Sequence, residues 1–184
     1  MGHLLENDLL IELFAFLAAD ELTLAEERLQ GIPLGSAVLQ NQSVAVRTYF
    51  AEYHLEYFRQ REYQHFPSRL HAVSLFATRS DAEVFGHRHP QRVLGKSLVP
   101  IRNQGSYLCS FHDASWLDYL RLPHCLSLEE LDRIAGYYWR GELAEAVELT
   151  YLEQRWQEPP VIEVLFRGTL MTDAKRLPAG RANG

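Results

Sequence analysis

The stretch SVAVRTYFAEYHLEYFRQREY, residues 43–63, constrains the fold more than any other part of this chain. Val46, Tyr49, Phe50, Tyr53 and Tyr57 recur at the three-and-four spacing that puts them on one face of a helix. Ser43 suits its N-cap. The helix has to stop before Pro67, because the residue preceding a proline avoids the α region. Five large side chains on one stripe ask for an apolar surface, and a β-sheet is the expected one. A stacking platform for nucleic-acid bases is the other reading of the same stripe.

The segments that follow supply such a sheet. A strand is expected near His71–Ala77 and a helix near Ser80–Gly86. VLGKSLVPI and SYLCSFHD read as two further strands, because their apolar residues partly alternate. SLEELDRIAGYYWRGE opens with a capping box, Ser127 with Glu130, and continues as a helix. LAEAVELTYLEQRW looks helical as well. Pro159 and Pro160 break it, and VIEVLFRGTLM is the closing strand. Upstream, LLIELFAFLA fits a buried strand or a helix equally. DELTLAEERLQG reads as a short helix and Ile32–Gln42 as a connector. The pattern is α+β, in one domain over residues 1–173, with a disordered tail over 174–184. A chain of 184 residues can bury a core without disulfides.

Charge narrows the function classes. The net charge of −6 argues against general nucleic-acid binding. The charge is unevenly spread, however. Residues 59–102 carry eight basic and three acidic side chains, a net of +5, beside four histidines. An anionic small molecule or a phosphate would prefer that section. Two cysteines without a recognisable spacing fit a reduced, cytoplasmic protein. The apolar run Leu9–Ala19 is too short to span a bilayer and lacks the flanks of a signal peptide, so no membrane anchor is expected.

Known catalytic loops are missing. The sequence has no GxSxG elbow, no GxGxxG and no GxxxxGK[ST]. His87, His89, Cys109, His112, His124 and Cys125 are zinc-ligand types, but no CxxC or HExxH organises them, and no metal site is expected. Cys109, within SYLCSF, reads as a core thiol. Glu163 sits between apolar residues in VIEVLF. It either faces water on the alternate side of a strand or, turned inward unpaired, costs free energy.

Taken in order, EYFRQREYQHFPSR (56–69), SLFATRSDAEVF (74–85), YYWRGE (137–142) and PPVIEVLFRG (159–168) resemble an uncharacterised bacterial domain family related to the ADP-ribosyltransferase-like superfamily. The resemblance covers about residues 50–170 and rests on motif order more than on any single motif. It implies a split β-sheet with flanking helices and an NAD cleft. A strand bearing a Ser, Tyr or Phe, followed by a helix, would form one wall, here Leu75–Phe76 and the helix from Ser80. Ser68 and Arg69 would reach toward NAD, and Phe76 or Tyr138 would sandwich the nicotinamide. Glu163 would be the catalytic carboxylate, stabilising the oxocarbenium-like ribose left when nicotinamide departs. An Arg suits the NAD pyrophosphate because it can donate in two prongs. One departure stands out. The superfamily usually carries a His or Arg on its first strand, and LLIELFAFLAAD has neither.

The resemblance implies NAD as substrate and ADP-ribosyl transfer to a protein or nucleic-acid target. The alternative is a non-catalytic interaction module on the same fold. A third reading is a phosphate-rich ligand other than NAD, such as RNA, held by the arginines of the middle section.

Overall fold

A computed structural model describes residues 4–7, 12–18, 38–121, 126–149 and 154–172. Strands β1 (Leu4–Asn7) and β2 (Glu12–Ala18) come first, then the long helix α1 (Val38–Glu62). Next are β3 (Val73–Phe76), α2 (Arg79–Arg88), the single turn α3 (Pro90–Val93) and β4 (Lys96–Asp113). Helices α4 (Ser115–Leu120) and α5 (Leu128–Arg140) follow, then a 3₁₀ turn at Ala144–Ala146. Two short strands, β5 (Glu148–Leu149) and β6 (Gln154–Arg155), precede the closing strand β7 (Ile162–Thr172). The chain is thus α+β, as the sequence pattern implies.

Four strands close into an antiparallel barrel. β2 pairs with β4, β4 with β7, β7 with β3, and β3 returns to β2 at Phe14↔Phe76. β1 joins from outside, along the edge of β4 that β2 also uses. The two strands expected in VLGKSLVPI and SYLCSFHD are one continuous strand, β4. Its register against β7 shifts between Gln104 and Tyr107, where Gly105 takes φ 75°. That bulge bends one strand so that it serves both ends of the barrel.

Alternation along the strands then builds two cores. Leu13, Leu75, Ile101, Cys109, Val164 and Phe166 point into the barrel. Cys109 is therefore a buried core thiol, as expected. On the outer face of β7, Leu165 meets the helical layer of Leu55, Trp116, Tyr119, Ile134 and Trp139. Trp139 donates its indole N–H to Leu55 O at 2.8 Å, which locks α5 onto α1.

Several expectations need correction. α1 begins at Val38, so Ser43 lies inside it and Val38–Gln42 are helix rather than connector. Nothing between Gly35 and Pro67 breaks a helix, which is why it runs to its full length. Its aromatic stripe does not lie on the sheet. Tyr49, Phe50, Tyr53 and Tyr57 are exposed, Tyr49 at 75%. The buried face is Ala51 and Leu55 instead. LAEAVELTYLEQRW is not a helix where it is described. Ala144, Val147 and Leu149 pack on the helical core from a 3₁₀ turn and a strand, spacings a helix would not give. The helix expected in DELTLAEERLQG and the tail 174–184 lie outside the described residues. The run LLIELFAFLA, left open between strand and helix, is strand over Glu12–Ala18. No helix among the described residues is long and apolar enough to cross a membrane.

Candidate functional site

Local structure first fixes the Pro-Ser-Arg turn. Arg59, on the last turn of α1, donates to Gln64 O at 3.1 Å and Phe66 O at 3.0 Å. It also pairs with Glu56 through Nε and Nη2 at 3.0 and 2.8 Å. Ser68 donates its hydroxyl to the same Glu56 at 3.0 Å. The E-x-x-R helix and the turn are thus one hydrogen-bonded unit. Ser68 is committed to that unit, and its hydroxyl also accepts from Leu70 N at 3.3 Å.

Arg69, the next residue, points inward. Its Nε and Nη2 form a two-pronged pair with Glu52 of α1 at 2.7 and 3.1 Å. Its Nη1 donates to Tyr138 Oη of α5 and to Glu163 Oε1 of β7. Tyr138 donates its own hydroxyl to Glu163 Oε1 at 2.9 Å. Ser74 of β3 donates to Glu163 Oε2 at 3.0 Å. Ser74 reaches it because Ser74 and Glu163 both face outward from neighbouring strands, with Phe76 directly opposite Glu163. Glu163 is 4% exposed. It neither faces water nor lies unpaired: both of the readings open for it give way to a third, a buried and fully hydrogen-bonded carboxylate.

The register that aims Glu163 is itself anchored. Thr78 and Asp81 form the capping box of α2, and Asp81 Oδ1 also accepts from Ile162 N at 2.8 Å. Ala77 N donates to Ile162 O at 3.0 Å. The start of α2 therefore clamps the residue just before Glu163.

Charge states follow from the partners. Burial works against the Arg69 guanidinium, yet Glu163 and Glu52 outweigh it and hold it well above its usual range. Burial would raise the Glu52 carboxyl, but Arg69 prevails and holds it low. Burial, reinforced by Glu163, pushes the Tyr138 phenol well above its usual range, so it stays protonated and donates. His112 lies opposite Glu163 on β4 and stacks on the Tyr138 ring at 4.5 Å. Its Nδ1 meets Tyr138 O at 2.9 Å and its Nε2 meets Ser110 Oγ at 2.7 Å. A carbonyl can only accept, so Nδ1 carries the proton and Nε2 accepts from the serine. Burial lowers this imidazole to about 3, and it is neutral.

Of the residues singled out in the sequence, Arg69, Tyr138 and Glu163 meet in one cluster. Ser68 stands beside it on Glu56. Phe76 packs toward Phe85 and Phe16, with ring centroids at 4.9 and 6.0 Å. Tyr138 offers no free ring face, since His112 stacks on it and the Arg69 guanidinium lies 5.3 Å from its centroid. Sequence reading missed Ser74, Glu52 and His112. Ser74 was legible as the serine of the wall strand. Glu52 had a weaker signal, an acid one helical turn before Glu56 on the face of α1 that turns inward.

Among the described residues, no group of three His, Cys, Asp or Glu is placed to hold a metal ion. His124 and Cys125 fall outside them. Chemically, the cluster is a carboxylate with a guanidinium, a neutral phenol and a hydroxyl on its two oxygens. Such a carboxylate is positioned to stabilise positive charge, but only once Arg69 gives way. No protein-family model matches the chain, and no curated protein matches it.

Proposed function

We propose that the chain is an ADP-ribosyltransferase-like domain that uses NAD in a cytoplasmic setting, with Glu163 as its reacting carboxylate. The observation that supports this reading is the Ser74–Glu163 hydrogen bond across β3 and β7, with Arg69 on the same carboxylate. A wall-strand serine and a late-strand glutamate are the residue types that the resemblance implies, in the order it implies. Arg69 supplies a cation from the α1–β3 turn, where the first strand has neither His nor Arg. In this reading NAD draws Arg69 from Glu163 onto its pyrophosphate, which frees the carboxylate to face the ribose. The anionic pyrophosphate compensates the guanidinium for the lost partner.

A second reading has its own observation. Glu163 is almost fully buried and both its oxygens are already satisfied. That arrangement fits a structural lock inside a non-catalytic interaction module. Nicotinamide release from NAD separates the two. The transferase reading expects release by the wild type and a loss of at least about a hundredfold in Glu163→Gln, the scale of a removed transition-state charge contact. Ser74→Ala, a smaller change to the same carboxylate, should fall in between. No release, together with no heat on titrating NAD to millimolar concentration, would sink the transferase reading and leave the lock.

A further inference from the structure

A cavity of about 760 Å³ opens beside α2, α3 and α4, next to the Glu163 cluster but separate from it. Its walls include the cations Arg88, Arg92 and Arg121 and the Trp156 indole, with Asp118 and Glu158 as the acids. The charges are not balanced. Asp118 is shared among Arg88 at 3.1 Å, His89 at 3.0 Å and Arg121 at 3.4 Å. Glu52, the other acid near Arg121, is already held by both prongs of Arg69 and reaches Arg121 only at 3.4 Å. Arg92 is exposed, and its side chain forms no ion pair or hydrogen bond among the described residues.

The unmet polar groups are of one kind. Arg88 Nε, Arg121 Nε and Trp156 Nε1 are buried and have no partner among the described residues. All three are N–H donors, and Arg92 brings a whole guanidinium. Burial pushes the Arg121 guanidinium below its usual range, and the facing Arg92 charge pushes it further. Buried donors with no acceptor, set among cations that repel one another, call for an oxyanion. Arg88 Nη1 and Nη2 are spent on Ser115 and Asp118 and on Pro159 O, so Arg88 frames the site and holds Trp156, whose ring lies 5.6 Å from its guanidinium. The volume is that of a small-molecule site, well beyond one inorganic ion.

We propose that this cavity binds a phosphate-bearing small molecule, with Arg92 and Arg121 clamping the phosphate and the Trp156 indole N–H as a third donor. The cavity does not depend on chemistry at Glu163, and a phosphate probe tests it without NAD. Pyrophosphate is the probe for the clamp, titrated into the full chain by calorimetry and followed by tryptophan fluorescence. Saturable binding is expected, weakened at least about tenfold in Arg92→Gln, the scale of one lost charge-assisted contact. Arg92 is exposed and unpaired, so that variant should melt as the wild type does. Arg121→Gln should weaken binding in the same way, and Lys96→Gln, which removes an exposed cation outside the cavity, should not. Equal losses in Arg92→Gln and Lys96→Gln would reduce the effect to diffuse charge and overturn the site. So would an absence of heat at millimolar pyrophosphate. A single-stranded RNA oligomer that binds tighter than pyrophosphate, with a steep salt dependence, would also overturn it in favour of a macromolecular ligand.

Discussion

His112 shows how much one side chain commits in this protein. It is neutral, it holds the Tyr138 carbonyl with Nδ1–H, and its ring supports the phenol that donates to Glu163. Its folded-state value of about 3 lies below the ordinary histidine value of 6.5. The unfolded chain therefore binds the proton first as pH falls, and stability drops with it. The contribution is intact above about pH 6.5 and is lost progressively down to about pH 3. By about pH 5 the loss from this group is about 2 kcal/mol. His54 adds in the same direction, because burial lowers it too, against Asp132. Urea melts at neutral pH and at about pH 5 would measure the sum, and His112→Gln should flatten the slope between them. An unchanged slope in that variant would refute the assignment to His112. The carboxylates Glu52, Glu56 and Asp118 are all held low, so their losses begin only as pH falls through the ordinary carboxylate range and leave the interval from neutral pH to about pH 5 to the histidines.

At the scale of the element, α1 is the instructive case. Its aromatic stripe has the right period for a buried face, yet the face that packs is small and partly charged. Ala51 and Leu55 touch the core, while Glu52 and Glu56 on the same side reach Arg69 and Arg59. Helical spacing says which residues share a face, and it does not say which face turns inward when two are available. The inward face is the one that gives Arg69 its partner Glu52 and sets Leu55 O against the Trp139 indole N–H. Tyr49→Ser and Tyr53→Ser should then change stability by no more than about 0.5 kcal/mol. Leu55→Ala should cost about 2–5 kcal/mol, as a core truncation does. A large loss in the tyrosine variants would restore the stripe as a packing face. The capping boxes were easier to read: Ser127 with Glu130 starts α5 as its sequence states. The Arg69–Tyr138–Glu163 contacts were not legible in that way: the resemblance turned Arg69 and Tyr138 toward NAD, and only the structure shows both bonded to Glu163. What stayed illegible was β4. Its two halves look like separate strands until the bulge at Gly105 is known to bend one strand instead of ending it.

For the whole molecule, the question is what fastens the barrel to the helical layer. Asp113, the last residue of β4, is 1% exposed and supplies much of the answer. Its Oδ1 accepts from Ser115 N at 2.9 Å, at the start of α4, and from Val161 N at 3.2 Å, just before β7. Its Oδ2 accepts from Ala144 N at 2.9 Å, at the 3₁₀ turn after α5. One carboxylate thereby gathers three backbone donors from segments far apart in sequence, at the barrel end where β7 begins at Ile162, one residue before Glu163. Removing it would strand three buried N–H groups at once, each a penalty of about 1–3 kcal/mol. Asp113→Ala should therefore cost several kcal/mol, more than Cys109→Ala inside the barrel, which removes one buried sulfur. Asp113→Asn keeps one carbonyl oxygen but turns the other acceptor into a donor facing a donor, so it should recover only part of the loss. Guanidinium melts of the three variants give the ranking. A Cys109→Ala protein less stable than Asp113→Ala would show that the barrel interior, and not this carboxylate, holds the two layers in place.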